Sequence, residues 1–529
     1  MKMTNFISTI QETIVDFTAY IRHIRYAVIG LAAYVFLIHF HMLNSTVPGI
    51  DTEHLISDSE SLYSSWLGIG RQGLWIVKRL SGNITFNPYF AVILTLLFLV
   101  PVCLLVPFIF NLTSGNKKGY RGEAILAFTF GAIVVSHPIM TEQLYFTLQS
   151  AEIVFSFFLL ELSLIAAHYW STTRNLLWLL PTILLLQIPF STYQAFVPLF
   201  IAGAVGMTLL QSLFTSQSVR KQLEYVGRFI IAFLTGFIIN QMVSRFFINS
   251  SYLNNQFYWA TAGFIGGCRE IITHIRDVFA GLGTFYFIEF LFLSLILIII
   301  LLRRWSAIQR TGVTAWQIFL LAAWLASPFY LSILLGIRPV VRAQLVLPFA
   351  TGGTAFLSGY LFIMWKQEHF GEMLRKLIGI VLLLFCFSTV YKEAAVTSKL
   401  YYTDSIRKQG DLNLAQSLQK DIQAFCGDAD YDGAVVFWGR REAVRNDSCI
   451  QGDIMGQSFF NWDVDVEPLY FFSSNRIVDF MNTLGSSYSK PTTGQVDLVS
   501  GVIADMPCYP APGSITWVED TLVVKLSEK

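Results

Sequence analysis

Charge is what this sequence has least of. Only 13% of its 529 residues are Asp, Glu, Lys or Arg, against about 25% in soluble domains. With 54% hydrophobic residues and a mean hydropathy of +0.55, that deficit excludes an ordinary soluble domain and points to a polytopic membrane protein in a lipid bilayer. Net charge is +1, so there is no global attraction to nucleic acid. The basic residues fall in small clusters between apolar runs, a pattern that sets topology rather than binding DNA. No C-x-x-C occurs among the six cysteines, so zinc and dithiol chemistry lack support and no metal or cofactor is implied. Cys103 and Cys386 sit in apolar runs as small buried side chains. Cys426 and Cys449 have the option of a disulfide, with Cys508 left over. No internal repeat is detectable, which weakens an inverted-repeat transporter. Residues 1–25 are polar and amphipathic, without a cleavage site, so the first span is expected to stay as an anchor.

Long apolar runs are abundant. A spanning helix needs roughly 20 apolar residues. About eleven runs approach this: 26–43, 88–110, 123–137, 152–169, 176–188, 193–214, 225–247, 285–302, 315–335, 343–365 and 377–395. The run at 176–188 is short, contains Pro181 and precedes Pro189, as a segment bordering a cavity can. Sixteen basic residues fall in the N-terminus and one set of loops, including Lys117, Lys118, Arg174, Lys221, Arg310 and Lys366, against eight in the other set. The positive-inside rule therefore predicts a cytoplasmic N-terminus and an extracytoplasmic tail. Three parts follow: a cytoplasmic amphipathic segment at 1–25, a transmembrane region at 26–395 with an outer loop at 44–87, and an extracytoplasmic α/β domain at 396–529. In the tail, Leu414, Leu418, Ile422 and Phe425 predict an amphipathic helix over 404–425. Residues 434–438 read as a buried strand, and 514–526 as a hairpin turning at Glu519-Asp520.

The first outer loop is loaded with function-bearing residues. It carries Asp51, Glu53, Asp58 and Glu60. Asp58 and Glu60 read as solvated loop charges. Asp51 follows Pro48-Gly49 at the mouth of any cavity between helices, where partial burial tunes a carboxylate toward use as a base, and Glu53 is close enough to share the site. Gly68, Gly70 and Gly73 match the dinucleotide fingerprint by letter, but no strand precedes them, so a tight turn onto an interfacial helix at 74–80 is the better reading. Glu142 belongs to the same face as Asp51, and capping the helix that begins near Ser150 accounts for it as well as catalysis does. Glu152 and Glu161 lie at membrane depth, where carboxylates are functional candidates. They stand about 13 Å apart along a helix and cannot share one site. Arg338 and Arg342 flank an outer loop and suit a lipid phosphate, with headgroup anchoring as the competing account. Tyr193 and Gln194 suit hydrogen bonding to a sugar, with interfacial packing as theirs.

Taken in order, Ile50-Asp51-Thr52-Glu53, Gly70-Arg71-Gln72-Gly73, Asn87-Pro88-Tyr89, His137-Pro138 through Tyr145-Phe146, Tyr193-Gln194, and Arg338 with Arg342 resemble the bacterial polytopic glucosyltransferases of the GtrII type, known for adding glucose to O-antigen. Val435 through Gly439 and Pro512 through Leu526 fit as well. The resemblance implies an integral-membrane glycosyltransferase of the GT-C kind in a bacterial plasma membrane. It would take a hexose from a polyprenyl-phosphate donor on the outer face and pass it to a cell-surface glycan acceptor. It implies Asp51 as catalytic base with Glu53 second, beside which Arg71, Glu142, Tyr193, Gln194, Arg338 and Arg342 are the candidates for substrate or phosphate. Two other classes share part of the pattern. A flippase of lipid-linked saccharides would explain the spans but not the tail or the loaded loop, and a polysaccharide polymerase would differ in using an oligosaccharide-lipid donor.

Overall fold

The computed structural model describes residues 2–45, 48–116, 119–215, 217–249, 258–307, 311–364, 372–428 and 430–528. Of the topology-bearing residues, Lys117, Lys118, Arg310 and Lys366 lie outside them. The helices run in chain order as α1 (Lys2–His23), α2 (Arg25–Asn44), α3 (Thr52–Ser57), α4 (Ser59–Gly68), α5 (Gln72–Leu80), α6 (Pro88–Thr113), α7 (Glu123–Ser136), α8 (Pro138–Tyr145), α9 (Ser150–Thr173), α10 (Leu179–Thr192), α11 (Phe196–Phe214), α12 (Val219–Ser244), α13 (Trp259–Ala280), α14 (Glu289–Ala307), α15 (Thr311–Ala326), α16 (Tyr330–Leu335), α17 (Val346–Met364), α18 (Glu372–Cys426), α19 (Phe471–Thr483) and α20 (Thr493–Ser500).

Among the described residues, eight helical segments are long and apolar enough to cross a membrane, or nine if one bent pair is a single span, rather than eleven. The apolar run at 176–192 is too short to count. Helix α14 has charge at both ends, Glu289 at one and Arg303 and Arg304 at the other. The bent pair is α7 with α8, which meet at 59°. Pro138 causes the break: it holds His137 in extended backbone (φ −63°, ψ 126°) and restarts the helix at its first position. Helix α8 thereby leaves the line of α7 and carries Glu142 sideways under the tail.

Helix α18 is continuous for 55 residues, roughly 80 Å at 1.5 Å per residue. The apolar run at 377–395 and the amphipathic segment at 404–425 are one helix, and the compositional change near Lys392 is a change of surroundings within it. Leu418 and Ile422 are buried as the periodicity predicts, while Phe425 stays largely exposed.

The tail contains the expected strand and hairpin. Strands β1 (Val435–Trp438), β2 (Ile515–Val518) and β3 (Thr521–Lys525) form a sheet in the order β1-β3-β2. β1 pairs parallel with β3, Phe437 opposite Val524, and β2 pairs antiparallel with it, Ile515 opposite Val524. Glu519 takes the positive φ of 53° that the two-residue turn needs. The sheet does not form its core alone. Ile50, Leu55, Tyr63, Trp66 and Leu74 of the first loop share one buried cluster with Ile422, Val435, Phe459, Phe480 and Leu522 of the tail. Phe459 and Phe480 stack at 4.1 Å between ring centroids within it. The loop and the tail therefore fold against each other. All six cysteines, Cys426 and Cys449 included, are free thiols.

Candidate functional site

The glycine run of the first loop is a turn between helices. Helix α4 precedes it, α5 follows, and Gly70 takes a φ of +76°, so the dinucleotide geometry is absent and the interfacial helix starts at Gln72. Pro48, Gly49 and Asp51 bring the chain out of α2 and into α3. A Cβ on Gly49 would stand 2.8 Å from the Tyr145 ring, so only glycine allows this close approach to α8. Asp51 has φ 67°, a left-handed conformation that Asp tolerates better than most side chains. It precedes the first turn of α3, and Glu53 lies within that turn.

Both acids meet a residue from the far end of the chain. Arg476, on α19, places Nη2 2.8 Å from Asp51 Oδ1 and donates through Nη1 to Glu53 Oε1. Its Nε and Nη2 also reach Asp463 Oδ2 at 3.1 and 2.7 Å. Three carboxylates thus share one guanidinium. Glu53 is the buried member, at 1% exposure, and its Oε2 has no hydrogen-bond partner among the described residues. Burial pushes its carboxyl up to about 8, against the pull of Arg476 and with repulsion from Asp51. Asp51, by contrast, keeps 36% of its side chain exposed. One turn along α19, Asp479 secures the same interface. It accepts from Ser57, lies 2.8 Å from His54 Nδ1 and 2.9 Å from Lys490 Nζ. Burial opposes the charge of Asp479, but these three partners hold its carboxyl below the usual range.

Glu142 is fully buried and does not cap the helix at Ser150. Its carboxylate accepts from the backbone N–H groups of Asp453, Ile454 and Met455 at 3.0, 2.8 and 3.2 Å. It fastens a tail loop to α8. The same loop holds Arg342, whose Nη1 lies 2.7 Å from Asp453 Oδ2 and whose guanidinium sits over the Phe146 ring. Burial works against the charge of Arg342, but Tyr193, Asp453 and Asp51 more than offset it, and the guanidinium keeps its proton more firmly than usual. Arg71 lies over the Tyr193 ring, 5.3 Å from its centroid. Gln194 is half-buried in the turn between α10 and α11.

Asp51, Glu53, Glu142 and Arg342 therefore all contact the tail, and Arg71 pairs with Tyr193. Arg338 is not among them in its contacts. It pairs with Asp277, which also binds Arg276, and lies over Tyr286. Of the two carboxylates on α9, Glu152 is paired at 3.1 Å with a fully buried Lys78 from α5, and Glu161 has no hydrogen-bond partner for either oxygen among the described residues. Sequence reasoning missed Arg476, Asp463 and Asp453. Their only signal was charge on buried surfaces of the tail, with nothing local to tie them to Asp51.

No curated protein matches the chain in a sequence search. No solved structure matches it either. The model of the family described as Glucosyl transferase GtrII matches residues 40–364, a stretch that begins at the end of α2 and takes in the acidic first loop, Glu142, Tyr193 and Arg342. That match spans more than half of the sequence, and the chain belongs to the GtrII glucosyl transferase family.

Proposed function

We propose that this chain transfers glucose from a polyprenyl-phosphate donor to a surface polysaccharide or other glycopolymer, on the outer face of a bacterial plasma membrane. What supports the reading is a part-exposed acid, Asp51, held against the tail, with Arg342 within electrostatic reach of Asp51 and Tyr193, and Arg71 over the Tyr193 ring. Transfer breaks the bond between the sugar's anomeric carbon and the phosphate oxygen and forms one to the acceptor hydroxyl oxygen. The acceptor proton goes to Asp51, and the bonding pair leaves with the lipid phosphate. Glu53 is buried with its carboxyl raised, whereas Asp51 is part-exposed, which favours Asp51 as the base. The departing phosphate gains negative charge, and Arg342 and Arg71 are the cations placed to stabilise it. Tyr193 and Gln194 offer a ring face and an amide to the sugar. Arg476 positions both acids and ties the site to the tail.

In the state described, Arg342 is held by Asp453 and Asp51 by Arg476. Substrate binding exchanges these contacts for phosphate and acceptor hydroxyl. A donor already activated as a phosphate ester needs no nucleotide motif. The test is the full chain in proteoliposomes supplied with radiolabelled polyprenyl-phosphate glucose and a glycan acceptor. Label should move to the acceptor. Movement of the lipid across the bilayer without transfer would make the chain a flippase, and transfer only from an oligosaccharide-lipid would make it a polymerase.

A further inference from the structure

Helix α12 has its last residue, Ser244, at the first loop, where Ser244 Oγ accepts from Gln72 Nε2 at 2.9 Å beside Arg71. Its first residue, Val219, lies 25 positions earlier, roughly 37 Å away along the axis. At that far end a cavity of about 220 Å³ opens between the end of α9, the end of α11 and the start of α12. It is lined by Ser171, Arg174, Gln211, Lys221, Glu224 and Arg228, among others.

Three features of this cavity call for a ligand. The first is charge. Three cations face one carboxylate, an excess of two positive charges. Glu224 is shared, 2.6 Å from Arg174 and 3.9 Å from Arg228, and Lys221 makes no ion pair among the described residues. The second is unsatisfied polarity in the wall. Ser171 and Gln211 are buried at 5% and 4% exposure, and Ser171 Oγ and Gln211 Oε1 have no hydrogen-bond partner among the described residues. Buried polar atoms left unpaired are costly, and a ligand that pairs them recovers that cost. Arg228 Nη1 donates at 2.8 Å to the Ser171 carbonyl, which fixes one guanidinium at the cavity edge. The third is the rim. Leu176 and Leu223, each within two residues of a lining residue, are exposed at 69% and 51% and present apolar surface where acyl chains would lie.

We propose that this cavity binds the phosphate of an anionic phospholipid headgroup, at the end of the helical bundle opposite the Asp51 site. Arg174, Lys221 and Arg228 neutralise the phosphate, Ser171 Oγ donates to it, and Gln211 Oε1 accepts from a headgroup hydroxyl. The exposed leucines meet the lipid chains. The predicted cytoplasmic leaflet is where anionic lipid is concentrated.

The test uses the full chain purified in neutral detergent and titrated with phosphatidylglycerol, with zwitterionic phosphatidylcholine, and with inorganic phosphate, each followed by the thermal unfolding midpoint. Phosphatidylglycerol should raise the midpoint saturably and phosphatidylcholine should not. Arg228→Gln should raise the half-saturating concentration about tenfold or more, and Lys221→Ala several-fold. Lys221 is exposed, so its loss does not threaten folding, and it carries the test if the arginine variant fails to accumulate. An unchanged phosphatidylglycerol response in Lys221→Ala, with Arg228→Gln either unchanged or unfolded, would overturn the site. Saturation by inorganic phosphate, with phosphatidylglycerol no better, would overturn the lipid assignment in favour of a soluble phosphate compound.

Discussion

Glu53 and Asp51 lie two residues apart on one arginine, yet their surroundings assign them different work. Glu53 is buried with its carboxyl raised to about 8. A carboxyl whose folded value lies above its unfolded one, about 4.5, stabilises the fold fully below pH 4.5 and loses that contribution as pH rises toward 8. Ionisation of Glu53 should therefore cost thermal stability across that window, about 1.4 kcal/mol per pH unit at most, beside the loss from Glu142, whose carboxyl burial also pushes up to about 8. Glu53→Gln, which mimics the protonated form, should reduce the slope to what Glu142 leaves, and keep most of the activity. A slope unchanged in Glu53→Gln would show that Glu53 is ionised throughout. The two arginines separate in the same way. Arg342→Ala should cost a charge-assisted contact, about 1.5–3 kcal/mol, or roughly ten- to hundredfold in donor use. Arg338→Ala should change kinetics little, because Arg338 contacts Asp277 and that acid keeps Arg276. Equal kinetic losses in both would return Arg338 to the phosphate. Asp51, Glu53, Glu142 and Arg342 stood out in sequence as candidates because charges are few and these sit beside span ends. Arg476 was not, since it meets Glu53 across 423 positions and nothing near it in sequence marks the pairing.

Helix α8 and the loop at 452–455 form the joint that brings Arg342 toward Asp51. A Cβ at Gly452 would collide with the Glu142 carboxylate. Gly452→Ala should therefore push the loop off its three hydrogen bonds and destabilise the chain by about 1–3 kcal/mol, the usual cost of overpacking. A melting comparison in detergent reads this directly, and an unchanged midpoint would mean the loop does not depend on Glu142. The elements themselves were largely legible. The strand at 435–438 and the hairpin at Glu519 stand out because β-branched and aromatic residues are bounded by turn residues. The continuity of α18 was harder to see. Its apolar run gives way to polar residues near Lys392, which signals a change of solvent, but no proline lies between Glu372 and Cys426 to end the helix. The bend at Pro138 had a local signal, and its consequence, a short helix turned under the tail, did not.

Over the whole molecule, the first loop, Glu142 and Arg342 all touch the tail, so they share its end of the bundle. The basic residue count predicts that end to face outside the cell. Reporter fusions after Lys118 and after Lys529 should report opposite sides of the membrane. If both report the cytoplasm, the outer-face donor cannot reach the site. The account's central claim is narrower: one first-loop carboxylate takes the acceptor's proton in a glucosyl transfer. The measurement that tests it most directly is the initial rate of glucose transfer from polyprenyl-phosphate glucose in proteoliposomes, wild type against Asp51→Asn at matched protein content. Loss of a general base costs about 10²–10⁴-fold, and a drop in that range with normal membrane insertion is the predicted result. Full activity in Asp51→Asn would contradict it.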